Sequence, residues 1–560
     1  MSTNPDYDVI VIGSGAGGGP VAYELANAGR DVLVLEKGAW FKEKDFAKDE
    51  IRSCRRSVFT PNLRDERHVI EELKNGEWDA ESTLDSGWDF WNGSMVGGSS
   101  NLMSGFFHRL KPDDFNLLSK YGKINYGNIV DWPITYDDLE PYYEKVERIV
   151  GVSGKYKKHK FSEPRSTSDY PYPPTTEHHI SSLIDDACQK LEISNFPVPR
   201  AILTKPEGDR GACYLSGYCG SYGCNSKAKG SSRVALLDKA VETGKCQIRP
   251  NSYVFNIKTN SKGKIEYVEY LDKSTNIKRK VSAKIYVIAA QSVETSRLLL
   301  NSKSVSHPNG LSNKNGQVGK NLIFSSGGSA NCELPFEMYP QDIQEKMKIQ
   351  GPFINRAVQE YYEYEDSQNS NNMKGGTIEF LMRHPNPIAR SNYLKWDDDG
   401  LMWGKKLQEK MYNHFTKNKH LRFEVFVDWT PNDHCFVSLG GNEKDKWGLP
   451  VAKVRIGQHG HDKSVGKFMN QKGVEIFEAL GGKNIQSHLG VNPPSNLQAG
   501  GCRFGDDPEN SVLDKDCRSH EIENLFVTDG SFMPTGGSVP FTWTIYANSF
   551  RVADLIKNQL

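Results

Sequence analysis

Residues 13–18 read Gly13-Ser14-Gly15-Ala16-Gly17-Gly18, and this glycine-rich stretch indicates how the first part of the chain folds. It follows the apolar run VIVI at 9–12 and precedes a helix-like stretch at 20–28 whose apolar residues share one face. A second apolar run, VLVL at 32–35, ends in Glu36. The order of strand, glycine turn, helix, strand and acidic residue predicts a βαβ unit that binds a dinucleotide.

Each part of this pattern has a chemical role. Gly13 permits the tight turn, Gly15 lets the backbone approach a pyrophosphate, and Gly18 lets the helix pack closely on the strand. The helix N-terminus offers unpaired N–H groups and positive dipole to phosphates. Glu36 follows at the distance where a carboxylate can accept hydrogen bonds from a ribose. An ordinary glycine-rich turn is the alternative, and the position of Glu36 favours dinucleotide binding.

Composition excludes several kinds of partner. The chain has 560 residues, and its 70 basic and 70 acidic side chains cancel, so no electrostatic case exists for nucleic acid or acidic membranes. No apolar run is long enough to span a membrane, and the first residues lack the basic and apolar regions of a signal peptide. We therefore predict a cytoplasmic protein with neither a nucleic-acid partner nor membrane insertion.

Three of the ten cysteines lie close together in sequence, at Cys213, Cys219 and Cys224. Three thiolates at this separation could hold an iron–sulfur cluster, and the glycines between them would allow the loop. The spacing matches no common zinc or ferredoxin pattern, and a fourth ligand is missing. We favour a structural glycine-rich loop without metal, and keep ligation by these three cysteines as the alternative.

The rest of the chain shows further predicted elements. Residues 247–290 alternate like a three-stranded meander, with its last strand at 285–290. The middle region holds strand-like stretches such as 422–428 and a very polar segment at 365–372, which predicts an exposed loop. A final helix is expected at 544–558, and we see no internal repeat.

Four stretches, in order along the chain, resemble the glucose–methanol–choline (GMC) oxidoreductases. They are the glycine turn 13–18 with Glu36, the glycine loop 97–101, the segment 289–299 and the segment 524–531. Gln291 stands in the third segment where glycine is usual in the family. The resemblance implies FAD rather than NAD as cofactor.

The resemblance also implies an α/β architecture with discontinuous domains. A Rossmann-like FAD-binding domain is expected at 1–325 and 481–560, and an α+β substrate domain built on a β-sheet at 326–480. The implied cofactor-binding residues are Gly13, Ser14, Gly15, Ala16, Gly17, Gly18, Glu36, Gly97, Gly98, Ser99, Asn101, Val254, Ala290, Asp529, Gly530 and Thr542.

The implied reaction is alcohol oxidation by hydride transfer to flavin, for which the protein supplies the base and the alignment. Family members place a His before the turn ahead of the Arg-Met-Gly segment, and a His or Asn before the last helix. This chain has no His at either place. We expect His488 to act as the base, with Asn496 and Gln498 orienting the hydroxyl, since an amide cannot act as a base. A flavoprotein without catalysis is the alternative from another class.

Two further similarities concern the substrate. The loop 219–224 followed by Lys229 resembles the branch of the family that acts on sugars and glycosides, and 500–505 with 537–545 resembles aminoglycoside-biosynthesis oxidases. The expected substrate is an alcohol of a sugar or glycoside. The most specific expectation is the 6′-hydroxymethyl of a paromamine-like aminoglycoside, which would be oxidised to an aldehyde in antibiotic biosynthesis. A glycoside 3-dehydrogenase, or a sugar dehydrogenase subunit passing electrons to a carrier rather than to oxygen, is the alternative.

A substrate that carries amines would favour a pocket lined by acidic side chains. The middle region offers four such candidates, Glu360, Glu363, Glu365 and Asp366. Such a run of acids is also typical of solvated surface.

Overall fold

The computed structural model describes residues 5–52, 58–87, 90, 93–365, 372–489 and 497–560. Its α-helices are α1 (Gly18–Asn27), α2 (Thr83–Ser86), α3 (Leu117–Tyr121), α4 (Tyr136–Val146), α5 (Ile180–Lys190), α6 (Asp238–Glu242), α7 (Ser292–Asn301), α8 (Gln341–Lys348), α9 (Pro387–Leu394), α10 (Gly404–Thr416), α11 (Gly460–Ala479) and α12 (Thr542–Gln559). Its strands are β1 (Tyr7–Ile12), β2 (Val32–Leu35), β3 (Val69–Lys74), β4 (Glu77–Ser82), β5 (Phe196–Pro197), β6 (Cys246–Arg249), β7 (Ser252–Thr259), β8 (Ile265–Asp272), β9 (Ile277–Val281), β10 (Ala283–Ile288), β11 (Gly328–Pro335), β12 (Arg356–Val358), β13 (Glu363–Glu365), β14 (Asn372–Lys374), β15 (Gly376–Met382), β16 (Trp396–Asp397), β17 (Gly400–Leu401), β18 (Asn418–Val427), β19 (Phe436–Lys444), β20 (Pro450–Ile456), β21 (Lys483–His488) and β22 (Leu525–Val527).

A five-stranded parallel sheet forms the centre of the first half of the fold. Its strand order is β22-β10-β1-β2-β6, so it joins strands from both ends of the chain. The last four residues of β1 and all of β2 are buried, as strands covered on both faces should be. Helices α1 and α12 pack against each other beside this sheet. The predicted α/β class and its Rossmann-like unit are confirmed.

The predicted meander is only partly correct. β7, β8 and β9 form a three-stranded antiparallel sheet, but the strand expected at 285–290 belongs elsewhere. That run forms β10, which pairs in parallel with β1 and β22. The reason is burial, because the last four residues of β10 are buried whereas the first four of β9 are exposed. A continuous apolar run suits the centre of a covered parallel sheet.

A six-stranded antiparallel sheet forms the second half. Its strand order is β21-β11-β18-β15-β12-β5, and α11 packs against β11 and β18. Its edge strands β5 and β21 come from outside 326–480, so the division into domains at those boundaries stays a prediction.

Other predicted elements have clear counterparts. The helix expected at 20–28 is α1, the final helix is α12, and the strand expected at 422–428 lies within β18 apart from its last residue. Of the polar segment at 365–372, residues 366–371 lie outside the described residues.

Candidate active site

The glycine turn after β1 leaves no room for side chains at three positions. Gly13 has φ +97°, and a Cβ built on it would lie 2.2 Å from the carbonyl oxygen of Ala289. A Cβ on Gly17 would lie 2.6 Å from the Thr528 oxygen, and one on Gly18 would lie 2.1 Å from the Gly13 oxygen. The turn therefore brings β1, β10, β22 and α1 into close contact, as the sequence pattern predicts for Gly13 and Gly18.

Gly15 is different, because it faces open space. The nearest protein atom to a Cβ built on Gly15 is the Cα of Gly98, at 4.0 Å. The bare backbone at Gly15 lies just ahead of the first turn of α1, where N–H groups lack helical partners. This arrangement fits the phosphates of a dinucleotide.

Glu36 lies at the end of β2 and is buried. Its Oε2 accepts hydrogen bonds from the Ser14 Oγ at 2.6 Å and the Ser14 N–H at 3.1 Å, and its Oε1 accepts from the Gly38 N–H at 2.8 Å. Burial raises the pKa of this carboxyl group. Oε2 thus already accepts two hydrogen bonds, but Oε1 accepts one and has a further lone pair, so Glu36 can still accept a ribose hydroxyl.

The second glycine loop is tied to the first. The Gly97 N–H donates to the Ser14 Oγ at 2.9 Å, and the Asn101 side chain donates to the oxygens of Val96 at 2.9 Å and Gly98 at 3.0 Å. Gly97 and Asn101 therefore shape the loop rather than face the cavity beside it.

The third similar segment opens α7 with an unusual residue. Gln291 has φ +81°, a conformation that favours glycine, and its side-chain oxygen accepts from the N–H groups of Val293 at 3.0 Å and Glu294 at 3.4 Å. Asp529 accepts from the Gln291 N–H at 3.1 Å and from the Thr295 hydroxyl at 2.5 Å. Hydrogen bonds thus hold Gln291 in a strained conformation.

These elements enclose one cavity, which we call the glycine-turn cavity. Of the predicted cofactor residues, those that line it are Gly13, Ser14, Gly15, Ala16, Gly17, Glu36, Gly98, Ser99, Val254, Ala290, Asp529, Gly530 and Thr542. Gly18, Gly97 and Asn101 hold the surrounding backbone instead. The contact of each residue with the cofactor stays a prediction, which this shared cavity supports.

A second cavity of about 610 Å³ lies beside the first, within the usual range for small-molecule sites. We call it the sheet cavity, because the antiparallel sheet forms one wall and the cysteine loop another. Met103, Leu497 and Thr542 line both cavities, so the two meet at these residues.

One row of side chains crosses the sheet wall. His488 of β21 is in register with Ser329 of β11, Ser329 with Glu424 of β18, and Glu424 with Glu379 of β15. Cross-strand partners point to the same face of a sheet. His488, Ser329 and Glu424 line the sheet cavity, while Glu379 is buried and its Oε1 lies 2.5 Å from the Nε2 of His108.

Glu424 is the carboxylate in this lining. Its Oε1 lies 3.2 Å from the Nε of Arg422, which is two residues away on the same face of β18. Burial and the neighbouring Glu379 raise the pKa of Glu424, although Arg422 opposes the rise. A carboxyl group whose pKa is raised toward neutrality is suited to proton transfer.

The predicted catalytic residues are not brought together. His488 lines the sheet cavity with an exposed side chain. Gln498 lines the glycine-turn cavity, where its side chain bonds to that of Gln291 and donates to the Phe90 oxygen at 3.3 Å. Asn496 lies outside the described residues. The roles of all three stay predictions.

Sequence reasoning missed Glu424 and Arg422. The alternation RFEVF at 422–426 predicts a strand with both polar residues on one face. What the sequence does not contain is the register that turns this face toward a cavity.

The cysteine loop contributes to the sheet cavity as well. Cys213, Cys219 and Cys224 carry free thiols, and all three line this cavity. Within the described part of the chain, no group of three or more His, Cys, Asp or Glu side chains is placed to hold a metal ion.

The acidic candidates for an amine-binding pocket lie elsewhere. Glu360 accepts from the Ser194 hydroxyl at 2.6 Å, and Glu363 lies 2.5 Å from the Nζ of Lys120. Neither these two nor Glu365 is among the residues that line the sheet cavity. The structure therefore does not place these three residues in the sheet cavity, and their use in an amine-binding pocket stays a prediction. Asp366 lies outside the described residues.

Comparison with known proteins adds independent support. The sequence pattern described as GMC oxidoreductase matches residues 173–325 and 431–549, and that described as FAD binding domain matches residues 8–44. The chain is 29% identical to 2-methyl-1,2-propanediol dehydrogenase of Mycolicibacterium austroafricanum, over 100% of this chain and 97% of that protein. It is 27% identical to paromamine 6′-oxidase of Streptomyces fradiae, over 99% and 92%. A variant of formate oxidase of Aspergillus oryzae shares the fold, with a TM-score of 0.65 and 15% identity over 100% and 99%.

The chain belongs to the GMC oxidoreductase family. It is an FAD-dependent enzyme of the class that oxidises alcohols, so the expectation of FAD rather than NAD is confirmed. No helix among the described residues combines the length and the apolar character needed to cross a membrane.

Proposed function

We propose that this protein oxidises an alcohol group of a sugar or glycoside. The observation that carries the proposal is the meeting of the two cavities at Met103, Leu497 and Thr542, which places a polar site next to the cofactor site. The residues that line the glycine-turn cavity would hold FAD, which when bound would supply the hydride acceptor for the alcohol carbon. The protein's part is to hold the substrate in the sheet cavity and to remove the hydroxyl proton.

We assign the proton-accepting role to Glu424. Its carboxylate lines the sheet cavity, is fixed by two neighbouring strands, and is held by Arg422. Burial raises its pKa, which increases the basicity of the ionised form. His488, two strands away in the same row, is the second candidate for this role.

An aminoglycoside 6′-hydroxymethyl is a second candidate substrate, favoured by the similarity to paromamine 6′-oxidase along almost the whole chain. Oxidation at C3 of a glycoside differs only in the carbon presented to the cofactor. Transfer of the electrons to a carrier instead of oxygen would favour the dehydrogenase alternative. Iron and acid-labile sulfide assays test whether the cysteine loop holds a cluster that takes part in this transfer.

The proposal is tested by anaerobic titration of the FAD-loaded protein with free sugars, simple glucosides and paromamine. Loss of the flavin absorbance with one class demonstrates alcohol oxidation and identifies the substrate type. Retention of the absorbance with every compound, while FAD stays bound, would overturn the proposal and favour another alcohol or a flavoprotein without catalysis.

A further inference from the structure

The sheet cavity has a strong excess of positive charge. One carboxylate, that of Glu424, is among the side chains that line it. The cationic side chains in the same lining are Lys48, Arg200, Lys229, Arg383, Arg390 and Arg422. His384 also faces the cavity, but burial and nearby cations lower its pKa to about 4, so it is neutral at physiological pH.

Four of the six cations are already engaged. Arg422 is paired with Glu424, and Arg200 lies between the rings of Phe106 and Phe353, at 4.1 and 4.2 Å from their centroids. These contacts leave Arg422 and Arg200 with partners inside the protein.

The two lysines are engaged at the cysteine loop. The Nζ of Lys229 donates to three backbone oxygens, including those of Cys219 at 3.0 Å and Tyr222 at 2.9 Å. The Nζ of Lys48 donates to the Tyr218 oxygen at 2.7 Å and lies near the cysteine thiols. Both lysines therefore stabilise the backbone of the cysteine loop.

Arg383 has no hydrogen-bond partner among the described residues, and Arg390 is held by backbone oxygens through its Nε and one Nη, which leaves its other Nη without a partner there. In the part of the chain that the structure describes, neither forms an ion pair. Arg390 donates to the carbonyl oxygens of His384 and Pro385, at 2.9 and 3.0 Å from its Nε. The carboxylate of Glu50 is near Arg390, but it accepts hydrogen bonds from the first turn of α9 instead.

The positive charges of Arg383, Arg390 and Arg422 are close enough to repel one another. Burial and Arg383 together lower the pKa of Arg390 to about 10, and burial and Arg422 lower the pKa of Arg383. Each lowered pKa means that the positive charge costs free energy at this wall of the cavity. An anion placed between the guanidinium groups would remove that cost.

We propose that the substrate of this enzyme carries an anionic group, a carboxylate or a phosphate, which Arg383 and Arg390 bind in the sheet cavity. This inference rests on the proposed function and makes it narrower, since the oxidised alcohol then belongs to a sugar acid or a sugar phosphate. The same positive charge disfavours an amine-bearing substrate, because like charges repel in a partly buried site.

The test measures binding separately from turnover. Isothermal titration uses the FAD-loaded protein with its flavin reduced beforehand and kept anaerobic, so that no hydride transfer can occur. It compares D-glucuronate, D-glucose 6-phosphate, D-glucose and D-glucosamine, which distinguishes a carboxylate from a phosphate ligand. We expect at least one of the two anions to bind 10-fold or more tightly than D-glucose, with the affinity falling as salt rises. Equal affinity for D-glucose and both anions, or tighter binding of D-glucosamine, would overturn the inference.

Two variants locate the anion site. Arg383→Gln removes one positive charge from the wall of the sheet cavity, and the double variant with Arg390→Gln removes both. We expect the Kd of the bound anion to rise 10-fold or more in Arg383→Gln, with that of D-glucose unchanged. Arg148→Gln is the matched control, because Arg148 is exposed and pairs with Glu144 on the surface. Unchanged anion affinity in Arg383→Gln, or equal weakening of every ligand, would overturn the assignment.

The two proposals fail in different ways. Tight binding of an anion without loss of flavin absorbance would contradict sugar oxidation and leave the anion site standing. Reduction of the flavin by D-glucose as readily as by D-glucuronate and D-glucose 6-phosphate would support sugar oxidation and contradict the anion site.

Discussion

Glu424 and Glu379 occupy directly opposed positions on β18 and β15, so two carboxyl groups share one face of the antiparallel sheet. Opposed like charges are unfavourable. Here each has a partner, since Arg422 lies 3.2 Å from Glu424 and His108 lies 2.5 Å from Glu379. The buried carboxyl group of Glu379 is thereby held by His108, and the carboxyl group of Glu424 faces the sheet cavity.

Gly15→Ala should separate cofactor binding from folding. The added methyl meets no protein atom nearer than the Cα of Gly98, at 4.0 Å, so the apoprotein should unfold at an unchanged temperature. Because the methyl occupies space where the pyrophosphate approaches, we expect FAD affinity to fall at least 10-fold. Fluorescence titration with FAD measures this. Gly460→Ala, at a glycine with open space around it, is the control and should bind FAD normally; unchanged affinity in Gly15→Ala would place the phosphates elsewhere.

Glu424→Gln should abolish proton removal while leaving the cofactor bound. We expect kcat to fall by about 100-fold or more, the usual contribution of a general base. The pKa of Glu424 is raised, so the wild-type rate should fall as pH falls through that raised pKa, when the carboxylate becomes protonated. The variant should lack this limb of the pH profile. Glu345→Gln, at an exposed glutamate of α8, is the matched control, and a wild-type profile in Glu424→Gln would exclude the role.

His488→Ala tests the other candidate base. If Glu424 accepts the proton, the loss in kcat should stay below about 10-fold, because His488 would only contribute to the wall of the cavity. FAD content and the unfolding temperature should be unchanged, since the side chain is exposed. Turnover abolished with FAD still bound would transfer the base role to His488.

Two substitutions at Gln291 separate the cost of its strained backbone from the stabilisation that its side-chain hydrogen bonds give to α7. Gln291→Ala keeps φ +81° unfavourable and loses the cap of α7, so we expect a loss of about 1–3 kcal/mol in stability. Gln291→Gly also loses the cap but relieves the backbone, so it should be about 1 kcal/mol more stable than the alanine variant. Thermal unfolding of both variants measures the difference. Equal stability would show that the conformation at this position is not strained.

The dinucleotide unit could be predicted because its signals are local. The glycine turn 13–18, the two apolar strands and Glu36 lie within about one βαβ unit, and each follows from backbone sterics or burial. The same reliance on neighbouring residues explains why the strand at 285–290 is predicted as part of the meander and not of the parallel sheet. Residues 283–288 follow the meander directly, and the burial of the last four of them is the feature that marks them as a strand paired with β1.

The sheet wall of the sheet cavity could not be predicted in the same way. His488, Ser329, Glu424 and Glu379 become neighbours through the registers of three strand pairs, which join segments far apart in the chain. A single sequence shows that such segments alternate but not which faces meet. The charge of the cavity was hidden for the same reason, because its cations come from separate loops and strands.

Rapid anaerobic mixing of the FAD-loaded wild type and Glu424→Gln with D-glucuronate and D-glucose 6-phosphate tests both the base and the anionic substrate. We expect at least one of the two compounds to bleach the wild-type flavin, and Glu424→Gln to bind that compound with similar affinity but to bleach at least 100-fold more slowly. Equal bleaching rates in the two proteins, or no bleaching of the wild type by either compound, would contradict this expectation.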